Sequence, residues 1–192
     1  PLIVPETKVR EVERIAAEEA ARPAVYVFGA GHVGRVLAQI LALLPVKLDV
    51  IDTRGEELAL LPTGIAGHRV AMPEAVVRQA PAGSSFVIVT HDHALDFLIA
   101  LEALKRTDSP YVGMVGSQTK RAKFASWFRE QGGDDKALER LVLPIGAQGL
   151  GDKRPEVIAA LAAAEIMVQI GRGEADVARA RASGPTEVVI GR

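Results

Sequence analysis

The chain has 192 residues, 48% of them hydrophobic and 24% charged, with a net charge of −1 at pH 7. This composition is typical of a globular protein with its own core, and the balanced charge argues against a nucleic-acid-binding surface. The absence of cysteine excludes disulfides, thiolate catalysis and cysteine-ligated zinc within the chain, and it fits a cytoplasmic location. We expect neither a signal peptide nor a membrane span, because no apolar run reaches about 18 residues.

The first 22 residues precede the first predicted strand. Residues 6–21 carry Val9, Val12 and Ile15 at helical spacing, which predicts an amphipathic helix. We expect this helix to pack on the edge of the domain, on a partner subunit or on a missing neighbour. Residues 1–22 are therefore interpreted as an amino-terminal stub and helix, a remnant of a missing domain or a linker.

A dinucleotide-binding pattern follows, with a strand, a glycine-rich turn, a helix, a second strand and an acid in that order. Gly29 permits a tight turn, Gly31 leaves room for a pyrophosphate, and Gly34 lets the helix lie close to the strand. The complete turn comprises Gly29, Ala30, Gly31, His32, Val33 and Gly34. The first helical N–H groups would then point at the anion. The alternative is that the glycines only close the corner between strand and helix.

The second strand ends in Asp52, whose carboxylate could accept hydrogen bonds from a ribose diol. Its alternative role is that of a solvated residue at a strand end. Arg54 follows closely, and it could contact a ribose 2′-phosphate or another phosphate, or it could be a solvated loop cation.

A third group of polar residues follows the strong buried strand predicted at residues 85–90. Thr90, His91, Asp92 and His93 fall where ligands bind in open α/β sheets, beyond the carboxyl ends of the strands. Three interpretations stay open, which are polar pocket lining, a structural turn with a helix cap, and metal ligation. Because two imidazoles on one loop do not make a metal site, we predict none.

The next strand, residues 111–115, leads into Gly116 and Ser117, and Ser117 predicts a helix N-cap. Lys120 and Arg121 lie in the first turn of that helix, where cations oppose the helix dipole. A bound anion would relieve this conflict. The alternative is that both cations point to solvent.

The last glycine-rich loop, residues 144–156, includes Gly151 and Lys153 and precedes a helix that begins at Pro155. We predict that this helix runs to about residue 170 and packs on the sheet or in a dimer interface. Residues 173–192 are predicted to form a charged, loosely ordered tail.

These elements together predict an α/β fold, a Rossmann-like three-layer domain with a mostly parallel sheet over residues 23–172, plus an amino-terminal helix. We find no catalytic constellation in the chain, since it has neither a Ser-His-Asp order, nor an HExxH motif, nor a Walker lysine.

Four separated motifs resemble the carboxyl-terminal Rossmann domain of the xanthine dehydrogenase accessory family (XdhC/CoxI). They are residues 28–34 with 50–52 and 54, residues 90–96, residues 111–117 with 120–121, and residues 144–146 with 151–158 and 164–165. The resemblance spans residues 24–170 in the right order. Members of this family usually carry another domain before the Rossmann part.

The resemblance implies an accessory protein that binds molybdenum cofactor, assists its sulfuration and hands it to xanthine dehydrogenase or a related molybdenum hydroxylase. The implied partners are that enzyme and a cysteine desulfurase. Separately, the apolar last helix leads us to expect a homodimer. The glycine turn, the helix start at Ser117 and the loop at Gly151 could then contact the cofactor's phosphate, while His91 and His93 could hydrogen-bond a pterin edge. We therefore lean towards a cofactor-binding protein that is not an enzyme.

Two other hypotheses stay open. The first is an NAD(P)-dependent oxidoreductase, in which Asp52 holds the adenosine ribose and His91 or His93 acts as the acid or base. The second is a nucleotide-sensing module without catalysis.

Overall fold

The computed structural model describes residues 6–147 and 151–182. In these residues, six parallel strands form one sheet in the order β3-β2-β1-β4-β5-β6. The strands are β1 (Ala24–Phe28), β2 (Lys47–Asp52), β3 (Ala66–Arg69), β4 (Ser85–Ile88), β5 (Val112–Met114) and β6 (Leu141–Val142). The predicted fold class is confirmed.

Helices connect the strands and cover both faces of the sheet. They are α1 (Glu6–Ala21), α2 (His32–Leu41), α3 (Gly55–Leu58), α4 (Pro73–Gln79), α5 (His93–Lys105), α6 (Gln118–Glu130), α7 (Asp135–Glu139) and α8 (Pro155–Ala182). The extended strands bury their side chains on alternate faces, as the two-residue period of a strand requires. In β4, Val87 faces the layer of α2 and α8, whereas Phe86 and Ile88 face the layer of α4, α5 and α6.

The order of the strands reverses direction between β1 and β4. In an open parallel sheet the connecting helices then lie on opposite faces, and a crevice opens at the carboxyl ends of these two strands. The glycine turn after β1 and the polar loop after β4 border this crevice.

Three short elements, α3, α7 and β6, were not predicted, because segments of two to five residues are too short to show a hydrophobic period. The prediction of a loose tail from residue 173 is wrong for its first part, since α8 continues to Ala182. Residues 171–182 are rich in Ala and Arg, which favour helix despite Gly171 and Gly173. Residues 183–192 lie outside the described residues.

The predicted helix α1 is present, and Lys47 ties it to the domain by donating to the Ala20 carbonyl at 2.9 Å. Its apolar stripe is exposed, with 65% of Val12 accessible to solvent, so the stripe does not pack on this domain.

Candidate functional site

The predicted site residues gather at the carboxyl edge of the sheet. Phe28 pairs with Ile88, and Ile88 pairs with Met114, so the strands β1, β4 and β5 end side by side. The glycine turn, the loop that begins at Thr90 and the loop that contains Gly116 are therefore neighbours. The end of β2, Asp52, borders the glycine turn on its other side.

Two of the three turn glycines are required by the fold itself. Gly29 has a φ of +114°, and a Cβ there would lie 2.5 Å from the Val89 carbonyl oxygen. A Cβ at Gly34 would lie 1.9 Å from the Gly29 carbonyl oxygen. Both contacts are with backbone atoms, which cannot rotate away. Gly29 and Gly34 therefore allow α2 to lie against the strand, as predicted.

Gly31 differs from both of these glycines. Its φ of −68° is open to any residue, and a Cβ there would meet no atom of the described residues within 4 Å. Gly31 is also the N-cap of α2, and no side chain among the described residues caps this helix. Of its neighbours in the turn, His32 is exposed and Val33 is half-buried. The start of α2 therefore presents backbone N–H groups at an open surface.

Asp52 is almost completely buried and its carboxylate is already bonded. Its Oδ2 accepts from the Ala30 N–H at 2.7 Å and from Arg54 Nη2 at 3.0 Å. Its Oδ1 accepts from the Arg54 N–H at 2.9 Å and from Arg54 Nε at 3.1 Å. Burial by itself would raise the pKa of Asp52, but the hydrogen bonds from Arg54 and the Ala30 N–H outweigh it and hold this pKa below its usual range.

The contacts of Arg54 continue into a chain of charges around the turn. Arg54 Nη1 donates to Glu57 at 3.3 Å, and the same carboxylate accepts from Arg35. Arg35 in turn donates to the Ala30 carbonyl at 2.8 Å. The hydrogen bond to the Asp52 carboxylate is the largest cause of the rise in the pKa of Arg54 above its usual range, and the negative charges of Asp52 and Glu57 add to it. Both edges of the glycine turn are thus fixed by side chains.

The loop after β4 separates into structural and exposed residues. Asp92 caps α5 by accepting from the Ala94 N–H at 2.8 Å, so the interpretation as a turn and cap holds for this residue. Thr90 donates to the Asp96 carboxylate at 2.6 Å. His91 and His93 are exposed beside them, where an incoming molecule could reach both imidazoles.

A buried ion pair lies between this loop and the next. Lys120 Nζ binds the Asp96 carboxylate and donates to the Val115 carbonyl at 2.9 Å. Asp96 is 0% exposed and Lys120 is 7% exposed. We predicted Lys120 as an anion contact, but its ammonium is engaged in this pair and would have to exchange partners to bind a ligand.

The helix start at Ser117 is formed as predicted. Its hydroxyl accepts from the Lys120 N–H at 3.2 Å, which makes it the N-cap of α6. Arg121 donates to the carbonyls of Leu141 and Leu143 at 3.0 and 3.1 Å, and so it joins α6 to β6. Gly116 is exposed and precedes the cap.

The loop before α8 leaves β6 at the same edge of the sheet. Gly151 and Lys153 are exposed, and Gly151 has a φ of +59°. Asp152 pairs with Arg154 at 2.7 Å, directly before Pro155 at the start of α8. Residues 148–150 of this loop lie outside the described residues.

In residues 6–147 and 151–182, no cluster of three or more His, Cys, Asp or Glu side chains could hold a metal ion. A cavity of about 650 Å³ lies at the opposite edge of the sheet, where α5 and α6 end, and none of the predicted site residues lines it.

Sequence reasoning missed Asp96, Glu57 and Arg35 as parts of this edge. Each acts through a partner that lies far along the chain, such as Lys120 for Asp96, and no local spacing reveals such a pair. The position of Asp96 in the first turn of α5, directly after a polar loop, was the one available signal.

The chain is similar in sequence and in structure to known proteins. The chain is 30% identical over 150 residues to the uncharacterized protein YqeB of Escherichia coli strain K12, an alignment that covers 76% of this chain and 27% of YqeB. It is also similar to a solved structure described as a xanthine dehydrogenase from Bacillus halodurans, with a TM-score of 0.65 and 21% identity over 85% of this chain and 45% of that one. The chain thus spans less than half the length of either protein.

No helix within the described part of the chain is long and apolar enough to cross a membrane. The model of the family XdhC_C, the XdhC Rossmann domain, matches residues 25–166, which include the glycine turn and both polar loops. This chain therefore belongs to the XdhC Rossmann-domain family.

Proposed function

We propose that this domain binds a phosphate-bearing cofactor at the start of α2 and works as part of an accessory protein for a molybdenum hydroxylase such as xanthine dehydrogenase. The ligand is molybdenum cofactor or a nucleotide, and the protein assists the sulfuration of the cofactor and its insertion into the hydroxylase. The other proposed partners are a cysteine desulfurase and a second copy of the chain, and the proposed location is the cytoplasm. The family match supports the accessory role.

The observation that carries the proposal is the difference between Gly31 and the other two turn glycines. A corner that served the fold alone needs Gly29 and Gly34, whose Cβ atoms would collide with backbone. It does not need Gly31, where a side chain has room and an ordinary φ. A glycine there leaves the uncapped N–H groups of α2 open to an anion.

The exposed polar groups beside the turn suit a pterin or a base. His91 and His93 are exposed after β4, next to the turn in the sheet order, and can donate or accept hydrogen bonds. The chain's own contribution is therefore binding and orientation. We favour this proposal over a nicotinamide-dependent oxidoreductase, because the Asp52 carboxylate on which that hypothesis depends is already bonded to Ala30 and Arg54.

The test is anaerobic calorimetric titration with molybdenum cofactor, NAD(H), NADP(H), and cytidine and guanosine nucleotides. It is run on the wild type and on Gly31→Val, Gly31→Ala and Gly31→Ser. Gly31→Val should weaken binding at least about tenfold while costing about 1 kcal/mol of stability, the cost of a poor N-cap. Gly31→Ala is the matched control, because it has the same cap defect with a smaller side chain.

Gly31→Ser sharpens the test. A serine hydroxyl would accept from the Val33 or Gly34 N–H and cap α2, so stability should stay equal or rise by about a few tenths of a kcal/mol. Binding should nevertheless weaken, because the hydroxyl and the phosphate compete for the same N–H groups. Unchanged affinity in all three variants would remove the glycine turn from the binding site.

The accessory role is tested separately by adding the cofactor-loaded domain to cofactor-free xanthine dehydrogenase. Wild type should restore activity faster than free cofactor does, and Gly31→Val should not. A rate equal to that of free cofactor would contradict the role in insertion.

A further inference from the structure

The acid at the end of β2 is positioned like a ribose acceptor but is bonded differently. A carboxylate offers about four acceptor positions. In Asp52 the N–H of Ala30 and three N–H groups of Arg54 fill them, and only 4% of the side chain is exposed. A ribose diol at this point would find no open lone pair.

Arg54 is also held firmly enough to keep a diol out. It chelates both oxygens of Asp52 and reaches Glu57, whose carboxylate is anchored in turn by Arg35. Bonds of this kind, with both partners charged, are about twice as strong as those between neutral groups. A hydroxyl is neutral, so it replaces them at a loss.

The groups that this corner offers to a ligand are therefore donors. Arg54 uses three of its side-chain N–H groups on the two carboxylates, and 25% of its side chain stays exposed. The charges of Asp52, Arg54, Glu57 and Arg35 cancel in pairs, so the corner gives no strong preference for a second phosphate. Asp52 therefore does not select a sugar with hydroxyls over one without.

We infer that this site recognises its ligand through the phosphate at the start of α2 and does not read a ribose diol, because Arg54 has already saturated Asp52. The inference rests on the proposed function and defines its ligand class as a phosphate or pyrophosphate ester whose sugar or pterin makes no bond to Asp52. Asp52 is then a positioning residue for the turn, since it fixes the Ala30 N–H.

The experiment compares ADP, 2′,3′-dideoxy-ADP and inorganic pyrophosphate by calorimetry at one salt concentration. Wild type should bind the two nucleotides within about twofold of each other, whereas a diol bonded to a carboxylate favours ADP about tenfold or more. Arg54→Ala uncovers Asp52 and should create that preference for ADP. Arg54→Lys is a second variant, because an ammonium cannot chelate both oxygens, and it should act in the same direction.

The matched control is Arg69→Ala, which removes a neighbouring exposed cation that donates to the Thr53 carbonyl and makes no bond to Asp52. Arg69→Ala removes one positive charge, as Arg54→Ala does, and it should leave the affinities for ADP and 2′,3′-dideoxy-ADP nearly equal. Thermal unfolding shows which variants are folded. The ratio of the wild-type affinities for ADP and 2′,3′-dideoxy-ADP tests by itself whether the site reads a ribose diol.

The outcomes separate the two levels of the argument. An ADP preference in wild type would overturn the inference and leave the proposed function standing. Equal binding of both nucleotides by folded Arg54→Ala would also overturn it, as would binding of pyrophosphate with rejection of both nucleotides. Failure of all three probes to bind would overturn the inference, because the phosphate alone would then not be recognised, while the titration with molybdenum cofactor would still decide the proposed function.

Discussion

Two kinds of helix start meet at the carboxyl edge of this sheet. The helices α5 and α6 begin with side-chain caps, Asp92 and Ser117, and the buried pair of Asp96 and Lys120 joins them. The helix α2 begins at Gly31, with no cap from the described side chains and with open space around its Cβ position. At α5 and α6, side chains accept hydrogen bonds from the first N–H groups of the helix, whereas α2 presents its first N–H groups to solvent.

The difference shows how a single fold separates support from binding. Caps and buried pairs satisfy N–H groups internally, which adds stability but removes those groups from ligand recognition. An uncapped start gives up a little stability and keeps its donors. The carboxyl edge therefore has a rigid half after β4 and β5 and an open half after β1.

Breaking the rigid half should have the largest effect. Lys120→Met leaves the fully buried Asp96 carboxylate without its cation, and we expect a loss of about 3–5 kcal/mol in the free energy of unfolding, measured with urea. Adding Asp96→Asn should recover part of this loss, because no buried charge then remains.

The single variant Asp96→Asn completes a double-mutant cycle, which tests whether the pair couples α5 to α6. If the double variant is destabilised by the sum of the single changes, the two side chains act independently and the rigid half is described wrongly.

Within the glycine turn, a smaller effect separates fold from binding. Gly34→Ala places a Cβ against the Gly29 carbonyl and should cost about 3 kcal/mol, as overpacking against immobile backbone does. Gly31→Ala should cost only about 1 kcal/mol. Equal losses in the free energy of unfolding, measured with urea, would mean that both glycines serve the fold. Gly31 would then give no evidence of a binding role.

The smallest effect lies at the boundary between the turn and β2. The pKa of Asp52 is lower in the folded chain than in the unfolded one, so its contribution is complete above the unfolded pKa of about 4 and is lost as the pH falls through the folded value. Asp52→Asn should cost about 1–2 kcal/mol at pH 7. In urea unfolding experiments, the difference in the free energy of unfolding between wild type and Asp52→Asn should shrink as the pH falls below about 4. A difference of constant size would show that Asp52 stabilises the turn without its charge.

The fold was largely predictable because its signals are local. Hydrophobic runs bounded by glycine and proline located four of the six strands, and the glycine turn with Asp52 at the end of the next strand indicated the Rossmann order. The cap at Ser117 was predictable for the same reason.

The hydrogen bonds and ion pairs within the candidate site were harder to predict from the sequence. Lys120 looked like an anion ligand because it lies in the first turn of α6, but its partner Asp96 is 24 residues away and belongs to another helix. Asp52 looked like a free acceptor, although N–H groups of Ala30 and Arg54 occupy the acceptor positions of its carboxylate. Sequence patterns placed these charges at the correct edge, but only packing determined which of them remain open.

The packing of α8 on α2 has a consequence for the order in which this protein is made. The apolar face of α2, with Leu37, Ala38 and Leu41, is covered by Ala159, Ala162, Ala163 and Ile166 of α8. These covering residues leave the ribosome more than a hundred positions after the glycine turn. The apolar face of α2 therefore stays uncovered during most of synthesis, so the glycine turn gains its full support only when α8 has docked.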